Sequence, residues 1–150
     1  MKFYDLDSFL GAFMETTKDK KLIIGEIILL IFLALAALMG NFIHQRFMSD
    51  GASITIKKFN FISPMTWGYG NIFPVLFIIS VLLMAIILIN AMVKNNYSED
   101  KLSSNIVSFA GLLFLMTPLL IGMQQINIGL IVMVIVQFII FALNMIRTRN

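Results

Sequence analysis

Four long apolar runs, separated by short polar spacers, constrain this chain more than any other feature. Each run is about 18 to 22 residues long, close to the ~20 residues that an α-helix needs to cross a ~30 Å hydrocarbon core. No water is available there to bond backbone N–H and C=O groups, so such runs must be helical. The sequence predicts an all-α integral membrane protein with four transmembrane helices at 22–43, 74–93, 106–123 and 128–146.

The composition agrees with this fold class. Hydrophobic residues make up 59% of the chain and charged residues 13%, which is far from the usage of a soluble domain. Four spans and their connections occupy nearly all 150 residues, so we expect one membrane domain over residues 1–150. Any activity must then come from the bundle, from a loop or from a partner. The absence of cysteine excludes disulfides and thiolate chemistry.

The basic residues are distributed unevenly between the two sides of such a bundle. Because Lys and Arg are enriched in cytoplasmic segments, the asymmetry predicts a multi-pass protein of the cell membrane with both termini in the cytoplasm. This distribution explains the basic pI better than a nucleic-acid partner does. The cytoplasmic set is Lys2, Lys18, Lys20, Lys21, Lys94, Lys101, Arg147 and Arg149, and the outer set is Arg46, Lys57 and Lys58.

Residues 1–20 form an amphipathic segment ahead of the first span. Its apolar residues recur every three or four positions, as on one face of a helix. One interpretation is a helix that lies in the inner interface of the membrane. The other is a docking helix for a cytoplasmic partner, which the mostly acidic polar face favours, since membrane-surface helices usually carry a basic one.

The outer loop, residues 44–73, has more pattern than a simple connector. Residues 54–56 and 59–61 alternate apolar and polar side chains, as extended chain with one buried face does. Between them, the Lys57-Lys58 pair breaks the alternation and predicts a bulge or turn. An ordered loop of this length often has a function.

Four aromatic residues of this loop are candidates for binding a partner. Trp67 and Tyr69 lie in the Gly-rich part before the second span, and Phe59 and Phe61 lie in the extended part. Buried aromatic anchors dominate binding energy at many interfaces. The alternative for Trp67 and Tyr69 is the aromatic belt at the outer membrane interface.

Polar residues inside the spans are the other candidate sites, because hydrocarbon penalises them. Glu26 lies near the inner end of the first span, and Gln137 lies in the middle of the fourth. For Glu26 the interpretations are an ion pair with a nearby lysine, snorkelling to water, or a coupling role in transport. For Gln137 they are a bridge between helices or part of a polar pathway. The lysines considered as partners of Glu26 are Lys18, Lys21, Lys94 and Lys101.

The remaining polar residues predict little chemistry. Asn144, within a turn of the inner end, is expected to reach water or headgroups, and Ser104 and Ser108 form a small-xxx-small pair that permits close helix packing. His44 is the only histidine, and no catalytic, metal or cofactor site is expected.

Three functions fit these features. The first is a non-catalytic accessory or assembly subunit that contacts the lipid bilayer and another membrane protein. The second is an immunity-type protein that intercepts a membrane-active peptide through its outer loop. The third is a small homo-oligomeric transporter or channel built around Glu26 and Gln137.

The predicted topology can be tested with reporter fusions. Fusions after Lys101 and at the C-terminus should both report the cytoplasm, and a fusion near Asp50 should report the outside, because basic residues stay in the cytoplasm. An outside signal at the C-terminus would require an odd number of spans or an inverted bundle.

Overall fold

The computed structural model describes residues 4–48, 54–62, 72–94, 101–120 and 126–149. Four helices form a ring in which α1 packs against α2 and α4, and α3 packs against the same two helices. A two-stranded hairpin connects α1 to α2. The elements in chain order are α1 (Tyr4–Met39), β1 (Ile43–Met48), β2 (Ile54–Phe59), α2 (Ile72–Lys94), α3 (Lys101–Leu120) and α4 (Ile128–Arg149).

Three of the helices are long and apolar enough to cross a membrane. These stretches are Lys18–Met39 in α1, Ile72–Lys94 in α2 and Ile128–Arg147 in α4. The apolar stretch found in α3, Lys101–Thr117, is shorter than these three. The structure therefore confirms a mostly helical fold with three helices long and apolar enough to span a membrane, and α3 does not confirm a fourth span.

The core lies along narrow stripes on the facing sides of the helices. In α1 and α4 the buried positions are spaced alternately by three and four residues, the seam pattern of packed helices. Between the stripes, large apolar side chains are exposed, as in a surface that meets lipid. The buried positions are Asp19, Ile23, Glu26, Leu30, Leu33 and Ala37 on α1, and Leu130, Met133, Gln137, Ile140, Asn144 and Arg147 on α4.

Helix α1 differs from the prediction at both ends. It is continuous from Tyr4 to Met39, so the amphipathic segment and the first span belong to one helix. The side chains of residues 4–17 lie outside the described part of the structure. At the other end the helix stops four residues before the predicted end at Ile43, because Gly40, a poor helix former, follows Met39 and Ile43 already pairs in β1.

The outer loop contains the predicted extended chain, but the predicted bulge at Lys57-Lys58 is wrong. Both lysines lie within a regular antiparallel ladder, Lys57 opposite Gln45 and Lys58 opposite His44. Because side chains alternate along an uninterrupted strand, Ile56 and Phe59 fall on opposite faces. Phe59 packs against the core, whereas Ile56 is 48% exposed.

A junction formed by Gly40, Phe42, Asn127 and Gly129 joins the start of the hairpin to α4. Asn127 caps α4, since its Oδ1 accepts the N–H of Leu130 at 2.9 Å. Its Nδ2 donates to the carbonyl oxygen of Phe42 at 2.5 Å. The Phe42 ring lies against both glycines, where a Cβ would overlap it.

Replacing Gly129 by alanine should therefore destabilise the fold. The new Cβ would meet the Phe42 ring, and Gly40 on its other side limits how far the ring can shift. We expect Gly129→Ala to lower the free energy of unfolding by about 1–3 kcal/mol, as overpacking does. Unfolding of the purified protein in mixed micelles measures it.

Gly25→Ala is the matched control. Apart from its own turn of helix, no atom of the described residues lies within 4 Å of the Cβ position at Gly25, so only helix propensity changes, by up to about 1 kcal/mol in favour of alanine. Equal effects of the two substitutions would contradict the packing of Phe42 between the glycines.

Candidate functional site

A buried ion pair joins the first and last helices toward the end of the bundle opposite the hairpin. The Nε atom of Arg147 lies 3.5 Å from Oε1 of Glu26, and both side chains are fully buried. Glu26 is on α1 and Arg147 is at the end of α4. A charge in hydrocarbon costs several kcal/mol unless a counter-ion accompanies it, so each residue neutralises the other.

Arg147 is also held by hydrogen bonds to α4 and α3. One guanidinium nitrogen, Nη2, donates to Oδ1 of Asn144 at 2.6 Å and to Oγ of Ser104 at 3.0 Å. Ser104 in turn donates to the carbonyl oxygen of Lys101 at 3.0 Å, so its hydroxyl both donates and accepts. These bonds fix the plane of the guanidinium group beside Glu26.

Asn144 connects the ion pair to the two other helices. Its Nδ2 donates to the backbone carbonyl of Ser104 on α3 at 3.3 Å and lies 3.8 Å from the sulfur of Met84 on α2. All four helices therefore contribute to one polar cluster, which consists of Glu26, Met84, Ser104, Asn144 and Arg147. All but Met84 are polar, and each is at most 1% exposed.

The ion pair leaves hydrogen-bonding capacity unused. Among the described residues, neither carboxylate oxygen of Glu26 has a hydrogen-bond partner, and the same holds for Nε and Nη1 of Arg147. The 3.5 Å separation exceeds the 2.7–2.9 Å of a strong charge-assisted bond. The pair thus acts through charge neutralisation, and its polar atoms are shielded from water.

A second, middle polar cluster joins α2, α3 and α4, and comprises Ser80, Ser108, Gly111 and Gln137. The amide Nε2 of Gln137 donates to the carbonyl oxygen of Ser108 at 2.9 Å, which is a bond between helices. A Cβ at Gly111 would lie 2.7 Å from Oγ of Ser80 and 2.8 Å from Nε2 of Gln137. The glycine therefore allows α3 to approach both neighbours closely.

The aromatic residues predicted to bind a partner fall into different environments. Phe61 is 2% exposed and its ring packs against that of Phe77 at 5.5 Å. It thus packs in the core of this chain, and partner binding by Phe61 stays a prediction. Phe59 is partly buried against the core. Trp67 and Tyr69 lie outside the described residues.

The sequence interpretation missed the true partner of Glu26. It considered four lysines, whereas Arg147 from the far end of the chain occupies that place. Asn144 was expected to reach water and is fully buried. The sequence does contain a pattern that indicates burial of Arg147. Spacings of three or four residues place it on one helix face with Gln137, Ile140 and Asn144.

The described residues offer no group of three or more His, Cys, Asp or Glu side chains that could hold a metal ion. His44 lies in β1. Comparison with protein-family models, with curated proteins and with solved structures finds no match to this chain.

Removing one member of the ion pair should lower the free energy of unfolding more than removing both members. Arg147→Met would leave the carboxylate of Glu26 buried without its counter-ion, and we expect a loss of about 3–5 kcal/mol in the free energy of unfolding. The double variant Glu26→Leu/Arg147→Met should lose less than either single variant, because no charge stays buried. A double-mutant cycle measured by unfolding in mixed micelles gives the coupling energy.

Lys94→Met provides the control, since Lys94 is an exposed basic residue in the last turn of α2. Its replacement should change stability by no more than about 0.5 kcal/mol. Additive losses in the cycle would show that Glu26 and Arg147 do not interact.

For Gln137, replacement by leucine should have a modest effect. The change removes the hydrogen bond to Ser108 and should cost at most about 1–2 kcal/mol of bundle stability, because an unfolded helix in lipid also finds polar partners. Unfolding in mixed micelles measures this loss. Full loss of function at unchanged stability would instead assign Gln137 to a polar pathway.

Proposed function

We propose that this chain is a non-catalytic accessory or assembly subunit of a larger complex in the cell membrane. The observation that supports it best is that polar side chains of the helices are buried and in contact with one another or with the backbone. Glu26, Gln137, Asn144 and Arg147 are each at most 2% exposed, and each contacts another side chain or backbone of the bundle. They stabilise the helix ring, and stabilisation by itself requires no substrate.

The outer surface of the helices supports a role in association. Exposed side chains along α1, α2 and α4 are predominantly large and apolar, so the helices of another membrane protein, or of a second copy, can replace lipid against them. Association there depends on close packing rather than on hydrophobicity, because lipid is equally apolar. The choice of partner then has to depend on the parts of the chain outside the hydrocarbon, above all on the outer loop.

The topology that we propose has four spans with both termini in the cytoplasm. Supporting it, α3 packs between α2 and α4, and it runs antiparallel to α4, since Ser104 contacts Arg147 and Ser108 contacts Gln137. A helix held between two spans shares their depth in the membrane. The asymmetry of basic residues supports the orientation.

The two alternatives differ in what supports them. Transport is favoured by one observation: both carboxylate oxygens of Glu26 lack hydrogen-bond partners among the described residues, as in a group that exchanges a proton or cation. Full burial beside Arg147 opposes it, because a transport pathway must reach water. The immunity-type function depends on peptide recognition by the outer loop, which the patterned hairpin favours.

Purification in a mild detergent tests the proposal. A heterologous membrane protein should co-elute with the chain at fixed stoichiometry, and Trp67→Ala should weaken the association by about 2 kcal/mol or more if Trp67 is an anchor. Trp67→Phe, which keeps an apolar ring, is the control and should retain most of the binding. Expression and membrane insertion should be equal in all three proteins.

A different result would exclude the proposal. If the chain purifies alone or as a homo-oligomer and supports ion or solute flux in proteoliposomes, it is a transporter or channel. If it purifies alone and binds a membrane-active peptide, the immunity-type function is correct. Retention of a partner by Trp67→Ala would leave the subunit role in place and assign Trp67 to the aromatic belt.

A further inference from the structure

The first turns of α1 extend far beyond the ends of α3 and α4. Helix α1 is continuous from Tyr4 to Met39, and its Glu26 lies at the level of Arg147 on α4. At 1.5 Å per residue, Tyr4 is about 33 Å from that level. In the same direction α4 ends at Arg149, and α3 begins one turn past Ser104, which contacts Arg147.

Helix α2 reaches farther in this direction, but it also falls short of the start of α1. It ends at Lys94, and its Met84 contacts Asn144, one turn before Arg147 on α4. This places the end of α2 about 10 Å past the level of the ion pair. The chain that joins α2 to α3 lies outside the described residues, and because it must return to α3 its length allows about 10 Å more. Residues 4–11 are therefore beyond the reach of the bundle.

Helix α1 leaves the bundle along its own axis. The stretch that is long and apolar enough to span a membrane begins at Lys18. A helix that lay flat on the membrane would need a sharp bend near this residue, but residues 12–24 contain no Gly or Pro, where such bends usually occur, and the helix is uninterrupted there. Residues 4–17, about 21 Å of helix, therefore continue the direction of the span.

The apolar residues of this segment share one face of the helix. Leu6, Phe9, Leu10 and Phe13 follow one another at positions i, i+3, i+4 and i+7. This spacing is typical of a helix that docks into an apolar groove of another protein. Because the described bundle does not reach the first half of this face, a partner has to cover it.

The charges of the segment indicate what kind of partner fits. At about 100° per residue, Asp5 and Asp7 fall at the two edges of the apolar face, and residues 4–17 contain no Lys or Arg. This charge opposes binding to a membrane surface, which favours basic helices. It also opposes pairing with a second copy, because two copies in the same orientation would align the same carboxylates. A groove with basic residues on both rims complements both edges.

We propose that residues 4–17 dock as a helix into an apolar groove of a water-soluble protein that carries lysine or arginine on both rims of the groove. The apolar face supplies the buried contact, and the two aspartates pair with the basic rims. The proposal does not depend on the intramembrane partner proposed above or on which side of the membrane α1 begins.

Site-specific crosslinking of the full-length protein in its native membrane tests which face is covered, and by what. A photoreactive benzophenone amino acid replaces Phe9 on the apolar face or, as the matched control, Ser8 on the opposite face. The probe at Phe9 should crosslink one water-soluble protein, and the probe at Ser8 should not. Mass spectrometry of the adduct should locate the crosslink in an apolar groove bordered by Lys or Arg.

The crosslinked protein is then purified and titrated with the full-length chain in nanodiscs. Phe9→Ala should raise the Kd at least about tenfold, because it removes an apolar anchor. Asp5→Asn/Asp7→Asn should also raise the Kd and make it less sensitive to salt, since salt screens exposed charges. Ser8→Ala should leave the Kd unchanged. Thermal unfolding of each variant checks that the bundle is intact.

Several outcomes would overturn the proposal. Crosslinking of Phe9 only to lipid would place the segment on a membrane surface, and crosslinking to a second copy would make it a dimerisation helix. Equal crosslinking from Phe9 and Ser8, or no adduct from either, would show that no partner covers the apolar face. A Kd that is unchanged in Asp5→Asn/Asp7→Asn at every salt concentration would exclude the basic rims.

Discussion

The neutralisation of Glu26 by Arg147 is the interaction on which the bundle depends most. Each charge alone would be strongly unfavourable in a dry interior, and together they join the first helix to the last. A ring of four helices closes only when those two meet. Only a correctly closed ring brings Glu26 and Arg147 together, so the ion pair favours that arrangement over others in which a charge would be buried alone.

Helices α1 and α4 are joined by polar contacts near both of their ends. Near one end Glu26 of α1 meets Arg147 of α4, and at the other end Asn127, which caps α4, donates to the carbonyl of Phe42 just after α1. The middle cluster around Gly111 and Gln137 adds the contact among α2, α3 and α4. Polar bonds thus occur at three depths, while the surface facing lipid stays apolar. Such a scaffold leaves recognition to its loops, which is why the outer loop has the greater weight in the proposed function.

Some of the polar interior could be predicted from residue type and position, and some could not. Gln137 in mid-span and the serine pair Ser104 and Ser108 all lie in the interior contacts, because small and amide side chains suit helix interfaces. For Glu26 the sequence predicts snorkelling, a transport role, or an ion pair with Lys18, Lys21, Lys94 or Lys101, whereas the structure pairs it with Arg147. Arg147 was instead counted as a basic residue at the membrane edge. Helix periodicity places Arg147 on the same face as Gln137 and Asn144, but it does not say which helix that face meets.

By itself the sequence determined the helical membrane character, since long apolar runs leave the backbone no other way to satisfy its hydrogen bonds. It also determined that the outer loop contains extended chain. Tertiary structure decided the end of α1 at Met39, the unbroken register through Lys57 and Lys58, and the burial of Phe61 against Phe77. Those outcomes depend on which surfaces meet. Local pattern can assign a residue to a face of a helix or strand, but only the packing of that face against another element decides whether it is buried, paired or exposed.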